Sequence, residues 1–136
     1  MIHKNKTLAT LLAIVLGGLG IHRFYLHGRK DIWGWLHFAA LPLSLLAWLA
    51  APDQPLLFTG ILFVISVLVG QLEALVIGLT PDERWDAACN PGSGKQSRSG
   101  WPLVLLLIVA MALGTTGLIA AIARTFDLLF TGGAYG

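Results

Sequence analysis

Charge is what this sequence has least of. Asp, Glu, Lys and Arg make up 12% of its 136 residues, about half the share of a soluble domain. Cysteine is nearly missing too. Cys89 stands alone, which excludes an intramolecular disulfide and any zinc or iron–sulfur site built on several thiolates. Arrangements for catalysis are equally scarce. Ser93, Ser97 and Ser99 sit in a stretch without histidine, and Cys89 has no histidine near it in sequence, so no nucleophile–base pair is set up. Glycine patterns for phosphate or dinucleotides are missing, and Gly17-Gly18-Leu19-Gly20 lies inside an apolar run, where glycine serves close packing. The chain reads as non-enzymatic and without a cofactor. Its net charge of +2 gives no case for nucleic acid. The cations cluster between apolar runs, which suits the edge of an anionic membrane.

What is present in quantity is apolar sequence, 56% of residues at a mean hydropathy of +0.76. It falls into runs at 7–26, 32–51, 56–79 and 102–123, each about the twenty residues that cross a hydrocarbon core. In lipid the backbone must satisfy itself, so helices are expected. The expected fold is an all-α integral membrane protein of four transmembrane helices. The first two form a tight antiparallel hairpin about the polar turn 27–31, and Pro42 kinks the second. The organisation is then a hairpin at 4–51, a third span within 52–79, a loop at 80–101, and a fourth span with a tail at 102–136. His3, Lys4 and Lys6 before the first run imitate a signal peptide, but no small-x-small cleavage site follows, so a retained helix is expected.

Four spans put both termini on one side with Lys4, Lys6 and Arg124. Arg23, Arg29, Lys30, Arg84, Lys95 and Arg98 then lie on the other. The larger group marks the cytoplasm, which leaves both termini outside, although the N-terminal lysines argue the other way.

Small residues recur at helical spacing on every run: Ala9, Ala13 and Gly17, with Gly20 beyond; Ala40, Ser44, Ala47 and Ala51; Ser66, Gly70, Ala74 and Gly78; Ala110, Gly114, Gly117 and Ala121. Such stripes let membrane helices approach closely. In the loop, Thr80 and Glu83 flank Pro81 as a capping box for a helix of about two turns. Asn90-Pro91-Gly92 stops that helix, Trp85 anchors it at the headgroups, and residues 92–100 form a flexible linker. Asp82, Glu83 and Asp86 resemble a cation site only loosely, and a solvated surface helix is the plainer reading.

Ionisable groups at membrane depth default to functional hypotheses. Arg23, His37 and Glu73 all fall within roughly 10 Å of the cytoplasmic edge at 1.5 Å per residue, and His22 lies level with His37. Glu73 shares the face of Gly70, so its carboxylate is expected to point inward. The economical arrangement is an Arg23–Glu73 ion pair with a histidine bonded nearby, since pairing reduces the cost of each charge. Snorkelling of Arg23 to the headgroups is the plain alternative. Two sharper readings compete: a haem between His22 and His37, for which adjacent hairpin helices leave little room, and proton or cation transport centred on Glu73.

KNKTLATLLAIVLGGLGIHRFYLHGRKDIWGWLHF, residues 4–38, resembles the TM2 domain family. The likeness rests on Gly17, Gly18 and Gly20, then His22-Arg23-Phe24-Tyr25, then the turn, and it extends to about residue 51. One departure is visible: His27 stands between Leu26 and Gly28, where the family usually has the glycine directly, and this bears on the turn. The resemblance implies paired membrane helices with a cytoplasmic turn, and architecture more than activity. It does not reach Glu73 or the 80–101 loop. The compact build looks bacterial. The expected role is an accessory or scaffold subunit of an inner membrane, in contact with lipids and with other integral membrane proteins or itself. Transport centred on Glu73 is the alternative.

Overall fold

The computed structural model describes residues 2–135, all helix and connection, with seven α-helices and no strand among the described residues. Helix α1 (Lys6–Leu16) begins at Asn5, whose side chain accepts from the Leu8 amide at 3.1 Å. It ends where Gly17–Leu19 tighten into a single 3₁₀ turn and Gly20 enters the left-handed region at φ 69°. Only glycine adopts that conformation without strain. Helix α2 (Ile21–His27) then runs back along α1.

Two hydrogen bonds tie the returning arm to the start of α1. The Lys4 ammonium donates to the Leu26 carbonyl, and the Asn5 amide donates to the Tyr25 hydroxyl at 2.9 Å. One continuous helix over 7–26 would hold its ends roughly 28 Å apart. The first apolar run is therefore a hairpin with both ends at one end of the bundle, not the single continuous helix expected over 7–26.

Helix α3 (Ile32–Ala50) is capped by Asp31, which accepts from the Trp33 amide at 3.3 Å, and it continues through Pro42. The third run divides at Gly60 into a single turn, α4 (Leu56–Thr59), and α5 (Ile61–Leu79). After α6 (Asp82–Cys89) comes α7 (Trp101–Thr131), 31 residues long, or about 46 Å at 1.5 Å per residue. Three helices, α3, α5 and α7, are long and apolar enough to cross a membrane.

The N-terminal residues, the 28–31 turn and the 80–101 loop lie at one end of the bundle, here the loop face. The 52–55 turn and the end of α7 lie at the far face. Lys4 and Thr131 are thus at opposite ends of the bundle, where four spans would put both on one side.

Helix α5 is the centre of the bundle, with α1, α3 and α7 packed around it. A Cβ on Gly17 would lie 2.9 Å from the Gly70 Cα, so α1 and α5 meet backbone to backbone. Ala9, Ala13, Ala74 and Ala110 are fully buried along the same seams. Gly114 packs on the Gln71 side chain and Gly117 on Leu68. Gly20 abuts Gly34 and His37 of α3, and Ser44 accepts from the Phe63 amide at 3.2 Å. Ala47 is exposed.

Breaking a helix inside a membrane orphans its last carbonyls, which must find partners. Here α5 supplies them: Gln71 Nε2 donates to Ile14 O at 3.0 Å, and Ser66 Oγ to Gly18 O at 2.8 Å.

The loop face is tied down rather than loose. The expected capping box does not form, because the Thr80 hydroxyl donates back to Val76 O at 2.6 Å and Pro81 occupies the cap position of α6. Trp85 is buried, not at the headgroups, and its Nε1 donates to Lys4 O at 3.2 Å. The serine-rich segment is strapped to α6: Ser97 bonds Asp86, and Ser99 bonds Asp82. Asp82 also takes the buried Lys6 ammonium. Those bonds, from Lys6 first and Ser99 second, hold its pKa down to about 2.

Candidate functional site

The four ionisable residues of the apolar runs meet near the loop face. Helix α2 contributes His22 and Arg23, α3 contributes His37, and α5 contributes Glu73. Arg23 is positioned by the hairpin's returning arm, which stops at Gly28. Its guanidinium bridges two carboxylates, with Nε donating to Asp31 Oδ2 at 2.7 Å and Nη1 to Glu73 Oε1. It therefore turns into the bundle instead of snorkelling outward. Asp31 does double work as the cap of α3 and the second partner of Arg23. Burial disfavours its charge, yet the guanidinium holds its pKa below the usual carboxylate range.

Both imidazoles converge on the other Glu73 oxygen. His22 Nε2 lies 2.6 Å from Oε2 and His37 Nε2 lies 3.4 Å from it. His37 Nδ1 is 2.7 Å from Ser66 Oγ, so the network continues to the carbonyl of Gly18 at the hairpin tip. His22 is 1% exposed and His37 7%, while Arg23 and Glu73 are each 21% exposed. The cluster is thus closed around the imidazoles and partly open at Arg23 and Glu73.

The imidazole centroids are 5.9 Å apart with planes at 75°, and both Nε2 atoms point to one carboxylate oxygen. No planar macrocycle fits between rings so placed. The arrangement can hold charge, orient protons and fasten three elements together. A carboxylate that accepts from an arginine and an imidazole is an ion pair with its lone pairs largely spent.

Two participants carry weaker sequence signals. Asp31 reads as an ordinary turn residue, and only its place eight residues after Arg23 marks it. Gln71 is an uncharged amide in an apolar run, whose signal is that a buried amide needs partners. The small residues Gly17, Gly20, Ser44, Gly70, Ala74, Gly114 and Gly117 all lie at helix contacts, where they set how near the helices come.

Three long apolar helices, a hairpin folded back on itself and an ion cluster toward one end of the bundle mark an α-helical protein of membrane type. Residues 2–51 match the family model of the TM2 domain. The match begins before α1 and ends just after α3, so it holds His22, Arg23, Asp31 and His37, while Glu73, Ser66 and Gln71 come from the helix beyond it. Neither the curated proteins nor the solved structures compared with the chain include a match.

Proposed function

We propose that the protein is a non-enzymatic inner-membrane subunit of bacterial type, which acts as an accessory or scaffold through helix contacts with other integral membrane proteins or itself. The observation that carries this reading is α7. Of its 31 residues only Leu103 and Ala110 are buried, and Leu105, Ile108, Met111, Ile119 and Ile122 face outward along the membrane thickness. Helix α3 also exposes apolar side chains, from Trp33 to Leu49, but α7 is the longest helix and the least covered of the three long ones.

Orientation supports a cytoplasmic loop face. Lys4, Lys6, Arg23, Arg29, Lys30, Arg84, Lys95 and Arg98 all lie there, against Arg124 alone at the far face. With the hairpin re-entrant, the N-terminal lysines join the majority and the positive-inside rule is obeyed throughout.

A photocrosslinking residue at Ile108 tests the reading in cells. A discrete protein adduct of fixed stoichiometry is expected, and it should disappear when Met111 is replaced by a bulky residue. Adducts to lipid alone would overturn the proposal. A second reading, proton- or cation-coupled transport, draws on the Glu73 carboxylate lying between two imidazoles. Against it, the polar chain ends at the Gly18 carbonyl, which has no proton to pass on. Flux into proteoliposomes that is lost in Glu73→Gln would favour transport.

A further inference from the structure

We propose that His37 Nε2 is a proton-binding site, and that the bound proton latches the α1–α2 hairpin onto α3 and α5. The argument begins with hydrogen-bond inventory. A carbonyl only accepts, so Ser66 spends its hydroxyl proton on Gly18 O at 2.8 Å. Ser66 Oγ must then accept from His37 at 2.7 Å, which fixes a proton on His37 Nδ1. The other nitrogen faces Glu73 Oε2 at 3.4 Å. With one proton on the ring, a lone pair confronts a carboxylate oxygen. With two, the same contact is an ion pair.

His22 has the opposite constraint. Its Nε2 donates to Glu73 at 2.6 Å, and its Nδ1 is buried with no partner. A second proton there would be an unsatisfied buried N–H, the costlier kind of orphan. The second proton therefore belongs to His37.

Charge balance points the same way. Arg23, Asp31 and Glu73 sum to one net negative charge in a largely buried cluster, and one imidazolium neutralises it. The groups facing the site come from every neighbouring element: Glu73 from α5, His22 and Arg23 from α2, and Asp31 ahead of α3, with His27 outside it at 3.7 Å. Lys6 is the sole titratable residue of α1 and is held by Asp82; those of α7, Arg124 and Asp127, pair with each other at the far face. The cluster is reached where Arg23 and Glu73 are partly exposed.

The coupling runs through Ser66, which joins His37 to the hairpin tip. A proton gained at Nε2 closes this contact and its loss opens it, so the docked hairpin should hold at the acid end of a pH series and loosen toward the alkaline end.

Protein labelled with ¹⁵N-histidine in nanodiscs, with His37→Gln for assignment, gives the test. At the acid end of a pH series both His37 nitrogens should be protonated, and at the alkaline end only Nδ1. The melting temperature of the wild type should fall along the same series by more than that of His37→Gln. In Ser66→Ala, Nδ1 need no longer donate, so a single proton on Nε2 at both ends is expected. If Ser66→Ala does not fold, the wild-type spectra decide alone. A bare Nε2 throughout the series, a wild-type ring protonated only at Nε2, or equal melting shifts in wild type and His37→Gln would overturn the proposal.

Discussion

Replacing Gly70 by alanine tests the contact on which the hairpin seats. The new Cβ would lie 2.8 Å from the Gly17 Cα, 2.9 Å from its carbonyl carbon and 3.2 Å from Ala13 O. Carbon atoms pack at about 3.5–4.0 Å, so α1 and α5 must part by roughly 0.7 Å. Both partners are backbone and neither can swing aside. The bonds on either side, Gln71 to Ile14 at 3.0 Å and Ser66 to Gly18 at 2.8 Å, then stretch to the edge of bonding. Overpacking costs about 1–3 kcal/mol, and two weakened bonds add about 1 kcal/mol each. Alanine's better helix propensity returns about 1 kcal/mol. The net loss is about 2–4 kcal/mol, which lowers the melting temperature by roughly 5–10 °C. Thermal unfolding in a mild detergent, followed by circular dichroism, measures it. Gly114→Ala is the control, since its Cβ meets the flexible Gln71 side chain at 3.2 and 3.8 Å, and it should stay within about 1 kcal/mol of wild type. If Gly70→Ala proves as stable as the wild type or more so, propensity alone governs and the backbone contact is not there.

Further outcomes follow from the charges and the topology. Glu73→Gln should destabilise by about 2–4 kcal/mol, the cost of breaking a buried pair discounted for its partial exposure; an Arg23→Ala variant melting like wild type would contradict the ion pair itself. Exchanging Arg23 and Glu73 should restore part of the loss in the same melting assay, limited by the Asp31 carboxylate that remains. Asp82 titrates lower in the folded chain than its ordinary 3.8, at about 2, so its contribution is whole above pH 3.8 and is lost as pH falls toward 2; the fluorescence difference between wild type and Trp85→Phe should report release of the N-terminal strap in that window. With Cys89→Ser as background, cysteines at Ile2 and Gly94 should label from one side of the membrane and one at Gly133 from the other, and opposite labelling of Ile2 and Gly94 would refute the re-entrant hairpin.

Run length and hydropathy anticipate α3, α5 and α7, because a helix that crosses lipid must be long and apolar whatever its neighbours do. They misread the first run, since hydropathy is blind to backbone angle and a re-entrant pair buries the same residues as one long span. Two signals of the break were present: three glycines within residues 17–20, and lysines at 4 and 6 that set the charge count at odds with itself. Depth counted from helix ends does place Glu73, Arg23 and the histidines at one level. That reasoning survives the wrong topology because Arg23 stands close to the turn whichever way its helix approaches. Docking of the strap onto α6 was illegible for a different cause. Lys4 O, Asn90 and Ser97 bond through single polar groups far apart in sequence, and no periodicity records such pairs. Thr80 and Glu83 fit the capping pattern locally, but the end of α5 claims the Thr80 hydroxyl first.

The hairpin also has a history in time. His22 and its partner Glu73 are 51 residues apart in the chain, and at a synthesis rate of about 5–20 residues per second that separation lasts several seconds. During that interval Arg23 has Asp31 but not Glu73, and His22 has no carboxylate at all, so the cluster is incomplete and unfavourable in lipid. The segment made first is then expected to be the segment seated last, held at the membrane surface until α3 and α5 offer it a slot. A nascent chain halted before Glu73 should carry its α1–α2 segment outside the hydrocarbon, within reach of protease, and one halted after Leu79 should not.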